Sequence, residues 1–288
     1  MALIEPVRLS VGQCATLACL LEATAPKVGN VHRGADFDDL VFPDFVASAV
    51  AIGPVFEQAT ELGLGRTVLG AVSATRRVVG TNTNLGMALV LAPLALVPQA
   101  ERLTTTSVAP VLRNLTADDC RQAYEAIRLA QPGGMGQVQA MDIAEEAPRD
   151  LLAAMQAAAQ RDLIALQYVE SFRLVLEELL PALLAGRNRG WSLTESIVHT
   201  HVALIAERGD SLISRKGGAE LARQASTIAK QVLACGCPGD EEYYAALSDF
   251  DFWLRSDDNR RNPGTTADLI AGALFAGLRD GVLAPPWR

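Results

Sequence analysis

Apolar residues recur along most of the chain at three- and four-residue intervals, the spacing that lines one face of a helix. Leu17, Leu20 and Leu21 form the first such stripe. Ser10 precedes it and Gln13 follows three residues later, so hydroxyl and amide can cap the first turn reciprocally. Pro26 stops this helix. Pro43 suits a helical first turn, and a second helix is predicted from there to about Leu62, kinked or reset at Pro54. Further helices are predicted at 66–78, 84–97, 105–114 and 117–130, the last opened by Thr116 with Asp119. Gln131 to Pro148 is the longest irregular stretch. A long helix is predicted over 149–185 with a break near Asp162. The next is capped by Ser192 with Glu195 and ended by Gly209, and helices at 218–234, 240–254 and 266–279 complete the chain. Two-residue alternation is nearly absent, so no sheet is predicted. The fold class is all-α, a single compact multi-helix domain over 1–288.

Composition agrees with that pattern. Half of the 288 residues are hydrophobic but only 5% are aromatic, which leaves Ala and Leu to build the core. Both lose little side-chain freedom in a helix. The net charge of −8 and a pI near 5.0 disfavour nucleic acid and anionic membranes as partners. The longest uncharged run, Val78 to Ala100, is interrupted by Thr, Asn and Pro and is too short in its apolar part to span a bilayer. No basic leader with a cleavage site precedes Ser10, so a cytoplasmic protein is expected. Cys14, Cys19 and Cys120 fall in apolar helical patterns, and Cys235-Gly236-Cys237 has no second pair. A closed zinc site needs four ligands; free thiols are the reading.

Four polar segments interrupt the apolar helices. The first, Pro26–Asp39, carries Lys27, His32 and Arg33 as cations that suit phosphate oxygens. Asp36, Asp38 and Asp39 follow as carboxylates that suit Mg²⁺; a solvated loop of mutually paired charges is the alternative. The second, Gly80–Gly86, has Asn82, Thr83 and Asn84 just before a helix. One of them can cap it, and exposed first-turn amides attract anions. The third, Arg208–Gly218, sets Asp210 ahead of Arg215, Lys216 and two glycines, where cations and backbone amides can approach one phosphate. The fourth, Arg260–Asp268, turns at Pro263-Gly264. There Thr265 or Thr266 is placed to cap the last helix, and Asp268 is placed in its first turn. Asn262 and Thr265 join the substrate-binding set. His199 and His201 point about 160° apart on a helix and cannot share a metal. No P-loop, G-x-G-x-x-G, H-E-x-x-H or Ser-His-Asp pattern is present.

Together these segments resemble the triphosphoribosyl-dephospho-CoA synthase family. Pro26-Lys27-Val28-Gly29 with Asp36-Phe37 resembles its PKPG-type loop and acidic stretch. Asn82-Thr83-Asn84-Leu85-Gly86 resembles its N-T-H-K-G segment. Asp210 with Arg215 to Gly218 resembles its D-x-x-x-x-x-R-G-G segment, and Pro263 to Leu269 its P-G-G-S-A-D-L segment. The likeness spans roughly residues 15 to 280. It departs where Asn84-Leu85 replaces His-Lys and where GNVHR replaces GLVDR, which marks a divergent variant.

The resemblance implies transfer of the triphosphoribosyl group of ATP to a ribose hydroxyl of 3′-dephospho-CoA, with release of adenine. ATP is then a substrate and Mg²⁺ the expected metal, with Asp36, Asp38 and Asp210 as its ligands. Asp36, Asp210 and Asp268 are the expected catalytic carboxylates, Asp268 mainly ordering the last helix. Lys27, Asn82, Asp210, Arg215 and Asp268 are predicted to converge on one cleft. A phosphoribosyl-type transferase of tetrahydromethanopterin-like carrier biosynthesis, and a non-catalytic nucleotide-binding helical protein, are the alternatives. A homo-oligomer is left open.

Overall fold

A computed structural model describes residues 8–131, 148–285 and 287. Among them there are fifteen α-helices, one π-helical segment and no strand; the one extended pairing is a bridge between His32 and Ala35. The helices are α1 (Val11–Thr24), α2 (Phe42–Glu57), α3 (Ala59–Leu62), α4 (Leu64–Val78) and α5 (Leu85–Ala95). Next come α6 (Thr105–Arg113), α7 (Ala117–Ala130), α8 (Leu151–Ala158), α9 (Leu163–Val169) and α10 (Leu180–Asn188). The last are α11 (Leu193–Arg208), α12 (Ser211–Gly217), α13 (Ala219–Ala234), α14 (Glu241–Arg255) and α15 (Gly264–Arg279). The reciprocal caps at Ser10/Gln13, Thr116/Asp119 and Ser192/Glu195 all form. No helix among the described residues is long and apolar enough to cross a membrane.

The differences from the sequence pattern are local and have physical causes. Pro54 remains inside α2, and the chain resets four residues later at Gln58, whose N–H tightens onto the Val55 carbonyl at 3.1 Å. The helix predicted over 149–185 is broken twice. Asp162 makes the first break by accepting the Ile164 and Ala165 N–H groups as the cap of α9. The second falls at Ser171 and Phe172, both with positive φ, just before the π segment Leu174–Leu179. Burial of the Phe172 ring against Tyr168 offsets the cost of that left-handed backbone. The seven-residue α12 is too short for periodicity to register. Most of the irregular stretch, 132–147, lies outside the described residues.

Two helices are apolar nearly all round and form the centre, as such helices must. In α5 every residue except Gly86 is buried, and in α15 only Gly264 and Asp268 are not. They cross closely at Gly272, where an added Cβ would lie 2.5 Å from Val90 Cγ1. Pro93 in α5 has no N–H for the Leu89 carbonyl. The Tyr168 hydroxyl, fully buried, donates to that carbonyl at 2.8 Å. At the other end of α15 the buried Arg279 donates to the carbonyls of Val97, Pro98 and Glu101.

A smaller cluster of α11, α12, α13 and α14 side chains packs around Val28. It fixes the segment 28–30. The Gly29 N–H donates to Asp251, the Asn30 carbonyl accepts from Arg255, and His201 Nε2 lies 3.3 Å from the Val28 carbonyl. This pinning sets the first polar loop against the N-terminal end of α15.

Candidate functional site

All four polar segments meet at the start of α15. Asn30 donates to Asn262 at 2.7 Å, joining the first segment to the fourth. The Thr266 N–H and hydroxyl both donate to Asp210, at 2.7 and 2.8 Å, joining the third to the fourth. Ser211 donates to Thr265 at 3.1 Å and accepts the Leu163 N–H at 3.2 Å, which brings in the start of α9. The second segment arrives through Gly86. A Cβ there would lie 1.9 Å from Asp268 Oδ2, so only glycine lets the first turn of α5 stand against that carboxylate. The N-terminal ends of α5, α9, α12 and α15 therefore gather round Asp268.

Asp210 and Asp268 are both acids of this junction, yet they are used differently. Asp210 is 2% exposed and accepts four hydrogen bonds. Oδ1 takes the Leu212 and Ile213 N–H groups at 2.8 and 3.0 Å, capping α12. Oδ2 takes the two Thr266 donors and so caps α15 across the chain. Burial pushes its carboxyl above the usual range, and the Thr266, Ile213 and Leu212 donors pull it back toward the anion.

Asp268 has no hydrogen-bond or ion-pair partner among the described residues. It lies in the second turn of α15, and no acidic residue stands in the first, so it is not the helix-ordering residue the sequence pattern predicts. Asp210 has that role instead. Burial, and then the charges of Glu22, Asp210 and Asp162, push the Asp268 carboxyl well above the usual range; Arg215 opposes them.

The cations fall into two groups. Lys27 has no exposed surface and pairs with the buried Glu22 at 2.8 Å, donating also to the Glu22 and Ala25 carbonyls. The direct phosphate contact expected of Lys27 is corrected on this ground: its ammonium holds Glu22 instead. Arg215 pairs with Asp162 at 3.1 Å while staying about one-third exposed. Lys216 donates to the Asn259 carbonyl at 3.2 Å, and burial lowers its ammonium pKa with Arg215 adding to the effect. The charges of Asp39 and Asp210 oppose that shift. Arg33 is exposed, and His32 is half-buried with Nδ1 accepting the Gly34 N–H at 3.1 Å.

The asparagines and threonines of the second segment are mostly committed. Asn82 accepts the Leu85 N–H at 3.1 Å and supplies the cap, Thr83 bonds Ser48, and Asn84 donates to Thr75 at 2.8 Å. Asp36 also caps a helix, contrary to the expectation of a loop with none to serve: its Oδ1 accepts the Phe42 N–H at 2.6 Å at the start of α2. Asp36 and Asp38 are exposed, whereas Asp210 is buried among its four donors. No three His, Cys, Asp or Glu side chains among the described residues are placed to hold a metal ion. The expected Asp36, Asp38 and Asp210 metal group does not form.

Glu22, Asp162 and Gly86 were not picked as site residues from sequence. Glu22 had a signal, a single carboxylate in an apolar helix five residues before a lysine. Asp162 reads only as a helix break, and Gly86 only as loop punctuation.

Three comparisons with known proteins give one family. The described CitG family, ATP:dephospho-CoA triphosphoribosyl transferase, matches residues 8–284. A Vibrio cholerae protein named a probable 2-(5″-triphosphoribosyl)-3′-dephosphocoenzyme-A synthase is 28% identical over 91% of this chain and 85% of its own length. One of the same name from Malonomonas rubra is 32% identical over 107 residues, 36% of this chain and 32% of the relative. A crystal structure described as a triphosphoribosyl-dephospho-CoA synthase from Archaeoglobus fulgidus superposes with a TM-score of 0.61. It is 26% identical, and the match covers 85% of this chain and 99% of that one. These relatives favour the dephospho-CoA reading over the carrier-biosynthesis and non-catalytic alternatives. With its match running through all four polar segments, the chain belongs to the ATP:dephospho-CoA triphosphoribosyl transferase family.

Proposed function

We propose that the junction around Asp268 performs the family's reaction, moving the triphosphoribosyl group of ATP to a ribose hydroxyl of dephospho-CoA. The observation that carries this reading is Asp268 itself, a carboxyl group pushed up by burial and neighbouring acids, with no partner and with Gly86 set aside for it. Such a group is costly to stability and suited to proton transfer. In the reaction the bond between the ATP sugar C1′ and adenine breaks, and a bond from C1′ to the acceptor oxygen forms. The hydroxyl gives up a proton and the departing adenine gains one, so the balance closes without a further reactant. Asp268 takes the hydroxyl proton as the acceptor oxygen bonds to C1′.

The triphosphate stays on the transferred sugar. Arg215 and Lys216 supply cations for it, and the first-turn amides of α5, where Asn82 holds Leu85, supply donors to its oxygens. Mg²⁺, if it accompanies the triphosphate, needs only one or two protein carboxylates because phosphate and water complete its shell. With Asp268 serving as the base, the described residues offer no ligand group for the metal, and no step is routed through it. Lys27 acts through Glu22, holding it in place. A cytoplasmic location, where both nucleotides are made, belongs to the same reading. The test is adenine release from ATP, followed by chromatography, with and without dephospho-CoA. Release that depends on the acceptor, with a product heavier by one triphosphoribosyl group, is expected; acceptor-independent release or none refutes the proposal.

A further inference from the structure

Between the first turn of α11 and α14 lies a concavity of about 330 Å³, at the lower end of the roughly 300–1,000 Å³ usual for ligand sites. Val28, Val198, Leu247 and Tyr243 supply its apolar lining. Thr194, Ser248, Glu195 and Asp251 supply its polar groups, and the two hydroxyl residues are exposed. It shares a wall with the reaction site, because Pro26 and Val28 line it while Lys27 between them turns away to Glu22.

Charge decides what it holds. No lysine or arginine lines it. The Ser192 N–H holds the Glu195 carboxyl below its ordinary range, so Glu195 is anionic at neutral pH. His32, which also lines the cavity, is held below its ordinary value by burial and is neutral there. An entering phosphate would meet the Glu195 carboxylate and no free cation, since Arg255 behind the wall is already held by Asp251 at 2.9 Å. A neutral group with N–H donors meets acceptors instead. Glu195 Oε1 accepts only the Tyr244 hydroxyl, at 3.1 Å, and the Thr194 and Ser248 hydroxyls have no partner among the described residues. Flat apolar faces, an exocyclic amine and ring nitrogens that accept hydrogen bonds are the properties of adenine.

We infer that this cavity binds a neutral adenine ring, that of ATP or that of the acceptor nucleotide. The inference rests on the transferase reading for the presence of two adenine nucleotides. The pantetheine arm of the acceptor is also uncharged, but it has no aromatic face for Tyr243 and keeps its amides at fixed separations along a flexible chain.

The test is calorimetric binding of adenosine, inosine, ATP, dephospho-CoA and phosphopantetheine to wild type and to Ser248→Trp. Ser248 is exposed, so the new ring closes the mouth without entering the core; a melting curve checks the fold. Adenosine is expected to bind wild type at least tenfold more tightly than inosine, whose keto oxygen meets the Glu195 carboxylate. Ser248→Trp is expected to weaken adenosine and one of the two nucleotides at least tenfold, and the nucleotide affected identifies the source of the ring. Phosphopantetheine binding is expected to be unchanged. Adenosine binding unaffected in Ser248→Trp, or loss of phosphopantetheine instead, overturns the inference. Should wild type release no adenine while Ser248→Trp still loses adenosine, the reaction assignment fails and the cavity assignment stands.

Discussion

Asp210 and Asp268 stand at the head of one helix, and they differ in how fully their acceptor sites are used. Asp210 has four donors and holds α12 and α15 together. Asp268, two residues beyond Thr266, has none among the described residues and is surrounded by like charge. A buried carboxylate with all its acceptor sites filled has nothing left for a substrate or a metal. Asp268, only partly buried and unpartnered among the described residues, retains all of its acceptor sites.

The comparison can be broken most forcefully at Asp210. Asp210→Ala leaves three N–H groups and a hydroxyl without their acceptor and should lower unfolding free energy by about 3–5 kcal/mol, read by urea denaturation. A loss below about 1 kcal/mol would show that the double cap is not structural. Arg215→Ala should weaken ATP binding by about 1.5–3 kcal/mol with the fold intact, the range for a hydrogen bond to a charged group. Equal affinity in calorimetry would remove Arg215 from the phosphate site. Gly86→Ala pushes a methyl into Asp268 and should lower kcat by about 10- to 100-fold, the effect of a misplacement near 1 Å. Unchanged kcat would mean that the closeness of α5 to Asp268 has no bearing on turnover.

The smallest effect is in pH. Asp268 has a folded pKa raised above its unfolded value, so the folded state holds the extra proton and this group's contribution to stability falls as pH rises above about 3.8. Asn at this position has no proton to lose. The melting temperature of Asp268→Asn minus that of wild type should therefore grow from pH 5 to pH 8. A constant or shrinking difference would contradict the direction of the shift.

Much of this was legible in the residues. The reciprocal caps at Ser10, Thr116 and Ser192 are local signals, because cap and partner lie three residues apart, and each forms as spaced. The apolar runs of α5 and α15 show which helices are central. The four polar segments also mark the junction correctly. What a linear reading cannot see is which side chain is already satisfied. Asp268 near a predicted helix start and Asp210 in a loop look like the structural and the chemical acid respectively. The structure gives the capping role to Asp210, since the cap of α15 comes from fifty-six positions earlier in the chain, and leaves Asp268 without a partner among the described residues. Lys27 looks available for phosphate only until its burial against Glu22 is known. Asp36, in an apparent loop, reaches six residues onward to Phe42, a span no capping pattern covers.

Adenine release and thermal melting of Asp268→Asn beside Asp210→Asn test the division of roles most directly. Asp268→Asn should melt at or above wild type and release adenine about 100- to 1,000-fold more slowly, the loss expected when one transition-state electrostatic contact is removed. Asp210→Asn should melt well below wild type. Near-normal turnover in Asp268→Asn, or a loss of stability in that variant with none in Asp210→Asn, would contradict the assignment of chemistry to Asp268.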